Sequence, residues 1–297
     1  MEIDDFYTEH WKQIEDDRFA RYEKMFVWSE GQLKLLEPAD IQSGHNVLDL
    51  GCGPGSLSFG ISGLVGETGM VHGVDINERF VSFSQEKYKD RKNISFQKIE
   101  DHQLPFESDS FDRVVCKNVL EYVPDLTLSL TEVKRVLKPS GKLHVIDSDW
   151  GFVIVEPWSK ETIVDFFEAA APAFREPQIG RKLMGEMKKV GFQNVSVLIL
   201  PFVDQSGSGL NVLNNMASYI ENFETMPSER VRELIDQAEE SVEQGTFLFC
   251  LPQFLVTASE RSQVQFCAIL TSMLSTKRLG IAMYFNFAFS GCLIAVF

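Results

Sequence analysis

An apolar run ending in Asp49 and Leu50 opens into Gly51, Cys52, Gly53, Pro54 and Gly55. Glycines at the mouth of a strand let the backbone turn tightly and approach a ligand with no Cβ in the way. The residues from Ser56 onward read as a helix, whose unpaired N–H groups and positive dipole end face the same mouth. A dinucleotide-type turn would place its third glycine at position 56, but that residue is serine and the glycine stands one position earlier. Asp49 can receive the amides of the turn or face a ligand ammonium. Asp75 closes the next strand, where a carboxylate accepts from a sugar diol, each bond to the charged acceptor being worth about 1.5–3 kcal/mol. Glu100 and Asp101 follow the third strand, and a carboxylate there can accept the exocyclic amine of an adenine. Lys117, Asn118, Glu121 and Tyr122 follow the fourth strand. Asp147, Asp149 and Trp150 follow the fifth.

Each of these residues needs a strand to carry it. Apolar runs at 46–50, 70–76, 94–99, 111–116 and 142–147 read as strands. Between them, helical spacing is clear at 78–88 and at 126–137, where Leu126, Leu130, Val133, Val136 and Leu137 form one stripe. The helix after Ser56 is weakened by Gly60 and Gly63. Such alternation predicts an α/β fold with a mostly parallel sheet covered on both faces. Ligands in these sheets sit beyond the carboxyl ends of the strands, where the residues named above fall. Farther on, 181–190 reads as a helix and 195–203 as a strand. Residues 210–224 and 229–243 read as helices, and 246–257 as a strand bent at Pro252. Residues 6–37 read as helical, ending at Pro38.

Composition narrows the function classes. A net charge of −15 over 297 residues repels phosphate backbones, so a general nucleic-acid binder is not expected. Cysteines at 52, 116, 250, 267 and 292 are odd in number and form no C-x-x-C pair. That suits a reducing compartment and argues against a disulfide framework or a structural zinc, so no metal is expected. The first ten residues are acidic and show no secretory signal, which points to the cytoplasm.

The stretches VLDLGCGPG (47–55), GVDIN (73–77), IEDHQLPFESDSFDRVV (99–115), NVLEYVPD (118–125) and LKPSGKLHVID (137–147) together resemble class I S-adenosylmethionine-dependent methyltransferases. The likeness is to the small-molecule branch that includes the ubiquinone and menaquinone biosynthesis type. It implies a Rossmann-like, seven-stranded sheet with a small helical cap formed by residues 205–244, a methyltransferase domain over 38–260, and an N-terminal helical segment, 1–37, over the cofactor. It implies S-adenosylmethionine held by Asp49, Gly51, Cys52, Gly53, Asp75, Ile76, Glu100, Asp101 and Asn118. The family's usual Asp before the L-P-F element is Glu100 here, and the usual glycine is missing, so that loop must seat its ligand differently.

Several roles stay open on sequence grounds. Tyr122 and Asp149 are candidates to orient or deprotonate an acceptor, or else a packing residue and a turn residue. Trp150, Tyr219 and Phe223 are candidates to wall a small-molecule acceptor, while the 205–244 segment could equally make a dimer contact. Cys52 reads as a small residue that fits. The rival functions are a nicotinamide-dependent oxidoreductase, disfavoured by the misplaced glycine, and a binding module that transfers nothing. The end of the chain, a hydrophobic tail over residues 261–297, stands apart. Lys277 and Arg278 precede residues 279–297, which carry no charge and are long enough to cross a membrane as a tail anchor. A packed extension or an oligomer contact are the alternatives.

Overall fold

The computed structural model describes residues 9–100 and 103–260. Asp101, His102, the first eight residues and the apolar tail therefore lie outside the described residues, and with them the tail-anchor expectation. No described helix is long and apolar enough to cross a membrane.

A seven-stranded sheet organises the chain. Its strands are β1 (Asn46–Leu50), β2 (Met70–Asp75), β3 (Ile94–Lys98), β4 (Phe111–Lys117), β5 (Leu137–Ser148), β7 (Gln193–Leu200) and β10 (Gln253–Ser259), in the order β3-β2-β1-β4-β5-β10-β7. Pairings from β3 through β5 are parallel, while β10 runs antiparallel to both β5 and β7. The central strands are buried on both faces and so read as continuous apolar runs. Leu48, Val114, Leu143 and Val256 pack one face; Val47, Val71, Val115 and Ile146 pack the other.

The N-terminal segment is broken rather than one helix. Residues 9–12 are helical, then α1 (Asp16–Met25) and the single turn α2 (Leu33–Leu36) follow. The breaks at 13–15 and 26–29 let the segment bend over the sheet, with Phe19 and Tyr22 packed against Phe80. The helices between strands are α3 (Ser56–Val65), α4 (Glu78–Lys87) and α5 (Leu126–Val136). Asn77 caps α4 by accepting from Arg79 N and Phe80 N, and Asp125 caps α5 by accepting from Leu128 N. β5 starts at Leu137, earlier than its apolar run: Leu137 pairs Phe111 before a register shift, and regular pairing resumes at Lys142.

A second packed layer draws on more chain than residues 205–244. It comprises β6 (Ile154–Glu156), α6 (Lys160–Ala170), β8 (Val203–Asp204), α8 (Leu210–Phe223), α9 (Ser228–Glu243) and β9 (Leu248–Cys250), with α7 (Ile179–Lys189) returning to the main sheet. Its strands form their own antiparallel sheet, β6-β9-β8. The stretch expected as one bent strand at 246–257 is thus two strands in two sheets, parted at Leu251 and Pro252. Trp158, Phe166, Tyr219, Val231 and Leu234 fill the core of this layer. Residues 150–175 gave no strong sequence periodicity because their aromatic side chains turn inward from short elements.

Candidate cofactor and acceptor site

β1 and β4 are adjacent parallel strands, and their carboxyl ends meet at a cleft of about 400 Å³. The turn after β1 is tied down by Gly51 N and Cys52 N, which donate to Val74 O at 2.8 and 2.9 Å. Gly51 has φ +71°, and a Cβ there would stand 2.2 Å from a methyl carbon of Val119, so only glycine fits between the two loops. Gly53 has φ +50° and nothing within 4 Å of a Cβ position, so its backbone faces open space. Helix α3 leaves this turn with its first amides toward the cleft.

Two carboxyl groups anchor the site. Asp49 is 1 % exposed and accepts from Ser58 Oγ at 2.5 Å. Burial pushes its pKa up to about 7, with the neighbouring Asp75 adding to the rise. Asp75 accepts from Gly53 N at 2.8 Å and from Asn77 N at 2.9 Å, clasping the glycine turn to the start of α4. Its pKa is raised to about 6 by burial. A carboxylate has about four acceptor positions, so Asp75 can still receive a ligand hydroxyl.

Of the residues expected from sequence, Asp49, Gly51, Cys52, Gly53, Asp75, Ile76, Glu100, Asn118 and Tyr122 all line this cleft. They differ in what they present. Glu100 stands at the rim, its carboxylate paired with Lys98 Nζ at 2.9 Å and 84 % exposed. Asn118 adopts φ +55° and keeps its side-chain oxygen buried without a hydrogen-bond partner. Cys52 is buried, which pushes its thiol pKa up and leaves it unreactive. Burial also keeps the Tyr122 hydroxyl protonated.

The remaining expected residues lie elsewhere. Asp149 is fully buried and clamps Arg181, accepting from its Nη2 at 2.7 Å and from Gly151 N at 3.0 Å. It does not line the cleft, because the turn after β5 points it at α7. Trp150 donates from Nε1 to Glu121 at 2.8 Å and packs against Phe167 and Phe174. Tyr219 is fully buried and Phe223 packs against the core of the second layer. Neither lines the cleft, nor does Trp150.

The cleft also holds residues of the N-terminal segment that the resemblance sets over the cofactor, and the lysine that ends β4. Trp11, Lys12, Phe26 and Gln32 come from the N-terminal segment, and Ser56 Oγ donates to the Phe26 carbonyl, pinning that segment to the glycine turn. Trp11 O accepts from Asn77 Nδ2 at 2.7 Å. Lys117 lies between Asp49 and Asp147; burial lowers its pKa, and the two carboxyl groups pull it back up. Its signal was visible in the sequence as a lone cation at a strand's carboxyl end.

Residues 41–199, more than half of the chain, match the family model described as a methyltransferase domain. The chain belongs to that family. The chain is 30% identical over 153 residues to the demethylmenaquinone methyltransferase of Staphylococcus aureus, a match covering 52% of this chain and 61% of that protein. The match thus spans about three fifths of the curated relative's length. Among solved structures, phosphoethanolamine N-methyltransferase 2 of Haemonchus contortus, solved with phosphomonomethylethanolamine and S-adenosylhomocysteine, superposes with a TM-score of 0.59 at 17% identity. That superposition covers 88% of this chain and 61% of the other. The YcgJ protein of Bacillus subtilis superposes at 0.55 with 20% identity, over 79% of this chain and all of its own. These likenesses show that the chain has the Rossmann-like, mostly parallel sheet of these structures.

Proposed function

We propose that this chain transfers the methyl group of S-adenosylmethionine to a small organic acceptor. The observation that carries the reading is the cleft between Asp49, the glycine turn and Asp75. Two carboxyl groups there have pKa values lifted by burial, so a ligand that brings positive charge and hydrogen-bond donors stabilises their ionised forms. A ligand with an ammonium, a sulfonium and a ribose diol supplies both. Gly53 leaves room for close approach, and the buried oxygen of Asn118 offers one more acceptor.

Bound there, S-adenosylmethionine supplies a strongly electrophilic methyl group. The chain's own residues do the rest. Asp49 and Asp75 fix the polar ends, Ile76 and Leu104 offer apolar surface, and Trp11 with Phe26 cover the opening toward the N-terminal segment. Such positioning can supply roughly 7–11 kcal/mol of barrier reduction. Tyr122, which stays a neutral hydroxyl, can orient an acceptor, and a base is needed only for an acceptor that carries a proton.

Calorimetric titration with S-adenosylmethionine, followed by S-adenosylhomocysteine release over an acceptor panel, tests this reading. The panel should include a demethylmenaquinone and phosphomonomethylethanolamine. Binding with turnover is the expected result; binding of a nicotinamide cofactor instead would sink it, and binding without turnover on the whole panel would leave only a binding module. Residues 279–297 add an expectation of their own, that the chain partitions to membranes beside a lipophilic acceptor. Equal partitioning of the full chain and of a 1–260 truncation would remove it.

A further inference from the structure

Lys117 ends β4 and lines the cleft. The strand register fixes where it stands. Leu50 pairs Cys116 across the two parallel strands, so Lys117, the next residue on, is level with the start of the glycine turn. Side chains alternate along a strand. Val47 and Val115 pack into one cluster on one face of the sheet, so Asp49 and Lys117, each two residues further, continue on that face. Asp49 pairs Val115, which puts Lys117 one strand over and two residues ahead, a diagonal of about 8 Å between Cα atoms.

The ammonium of Lys117 is spent on nothing in the protein. Nζ stands 5.5 Å from the centroid of the Phe26 ring, and Phe26 and Asp49 line the cleft beside it. Among the described residues it makes no hydrogen bond and no ion pair within 4 Å, so its three donors are open. Asp49 takes Ser58 Oγ at 2.5 Å and, as a carboxylate, has acceptor positions to spare. A carboxylate and an ammonium thus share one face and one cleft without pairing with each other. A plain cation would satisfy Asp49 and be repelled by the lysine, and a plain anion would do the reverse. What complements both is a ligand with an ammonium and a carboxylate on one carbon.

We propose that Lys117 receives the α-carboxylate of the cofactor while Asp49 receives its ammonium, so that the cleft selects S-adenosylmethionine by a whole amino acid head group. This rests on the methyl-transfer reading and adds the residue that makes the carboxylate a requirement. Lys117 is a binding residue. By holding the end of the amino acid arm it limits how the sulfonium can turn relative to the acceptor.

The test compares two ligands that differ by the carboxylate alone: S-adenosylhomocysteine and decarboxylated S-adenosylhomocysteine, which keeps the ammonium. Calorimetric titration of the full wild-type chain should find the first bound about tenfold or more tightly than the second. Lys117→Met, similar in length and apolar, should bring that ratio to within about threefold of one through weaker binding of S-adenosylhomocysteine, and Lys117→Arg should keep most of it. Should Lys117→Met not fold, Lys117→Gln serves the same comparison. Whatever the substitution does to Asp49 acts on both ligands, since both carry the ammonium, and drops out of the ratio. A wild-type ratio near one overturns the proposal whatever the variants do. So does a ratio as large in Lys117→Met as in wild type, which would give the carboxylate to other groups of the cleft. If wild type binds neither ligand, the methyl-transfer reading itself fails.

Discussion

Two aspartates at the ends of strands have opposite duties. Asp75 spends two acceptor positions on Gly53 N and Asn77 N, so it shapes the glycine turn before any ligand arrives. Asp75→Ala removes the clasp and the ligand acceptor together, and should weaken S-adenosylmethionine binding at least tenfold, about 1.4 kcal/mol, by calorimetry. An unchanged Kd would count heavily against the site. Asp149, by contrast, spends its carboxylate on Arg181 and Gly151 N, away from the cleft. Asp149→Ala leaves Arg181, itself 42 % exposed, able to find water, so the cost should be about 2 kcal/mol of folding stability, below the range for a fully buried pair. Denaturant unfolding reads that loss, and calorimetry should find the cofactor affinity within about twofold of wild type. A large loss of affinity with little loss of stability would return Asp149 to the site. The sequence placed both residues at strand ends, but it could not show that α7 would bring an arginine to one of them.

At the scale of elements, α3 shows how a local rule can be overridden. Propensity alone makes Gly60 and Gly63 equal weaknesses in this helix. The structure separates them. A Cβ at Gly60 would stand 2.3 Å from the ring of Trp28, which lies flat on the helix, whereas a Cβ at Gly63 meets nothing within 4 Å. Gly63→Ala should therefore stabilise the protein by about 0.5–1 kcal/mol, and Gly60→Ala should destabilise it by about 1–3 kcal/mol because the indole must move. Equal effects in chemical denaturation would contradict this packing. The strands and helices from residue 46 to 137 were legible because the central strands are apolar throughout and two of the helices start at an identifiable cap, Asn77 and Asp125. The segment at 150–175 was not, since β6 has only three residues and α6 draws its burial from Phe166 and Phe167 packing across to α8 and α9. The cation–π contact between α1 and α8 was equally hidden: Arg18 and Tyr219 lie some two hundred positions apart, and nothing local relates them.

For the molecule as a whole, the formal net charge of −15 includes carboxyl groups held inside. Asp49 and Asp147 are pushed up to about 7 by burial, and Asp75 to about 6. In each case the folded-state pKa lies above its unfolded value near 3.9. Such groups contribute stability that is complete below the unfolded value and is lost as the pH rises through the folded one, because the folded state retains protons that the unfolded chain has released. His144 works in the other direction: burial lowers its pKa to about 4, so it contributes stability above its unfolded value near 6.5 and loses it as the pH falls toward 4. From pH 6.5 to 7.5 the three carboxyl groups release their folded-state protons while only the remainder of the histidine's titration opposes them, so their loss outweighs its gain. Across that window the ligand-free protein should lose Tm. The rise in Tm produced by saturating S-adenosylmethionine should grow over the same interval, since a cationic ligand binds best to ionised Asp49 and Asp75 and its binding releases their protons. Asp49→Asn should flatten both trends. If the ligand-induced rise were instead the same at both pH values, or smaller at the higher one, then the buried carboxyl groups would not be what receives the cofactor's charge.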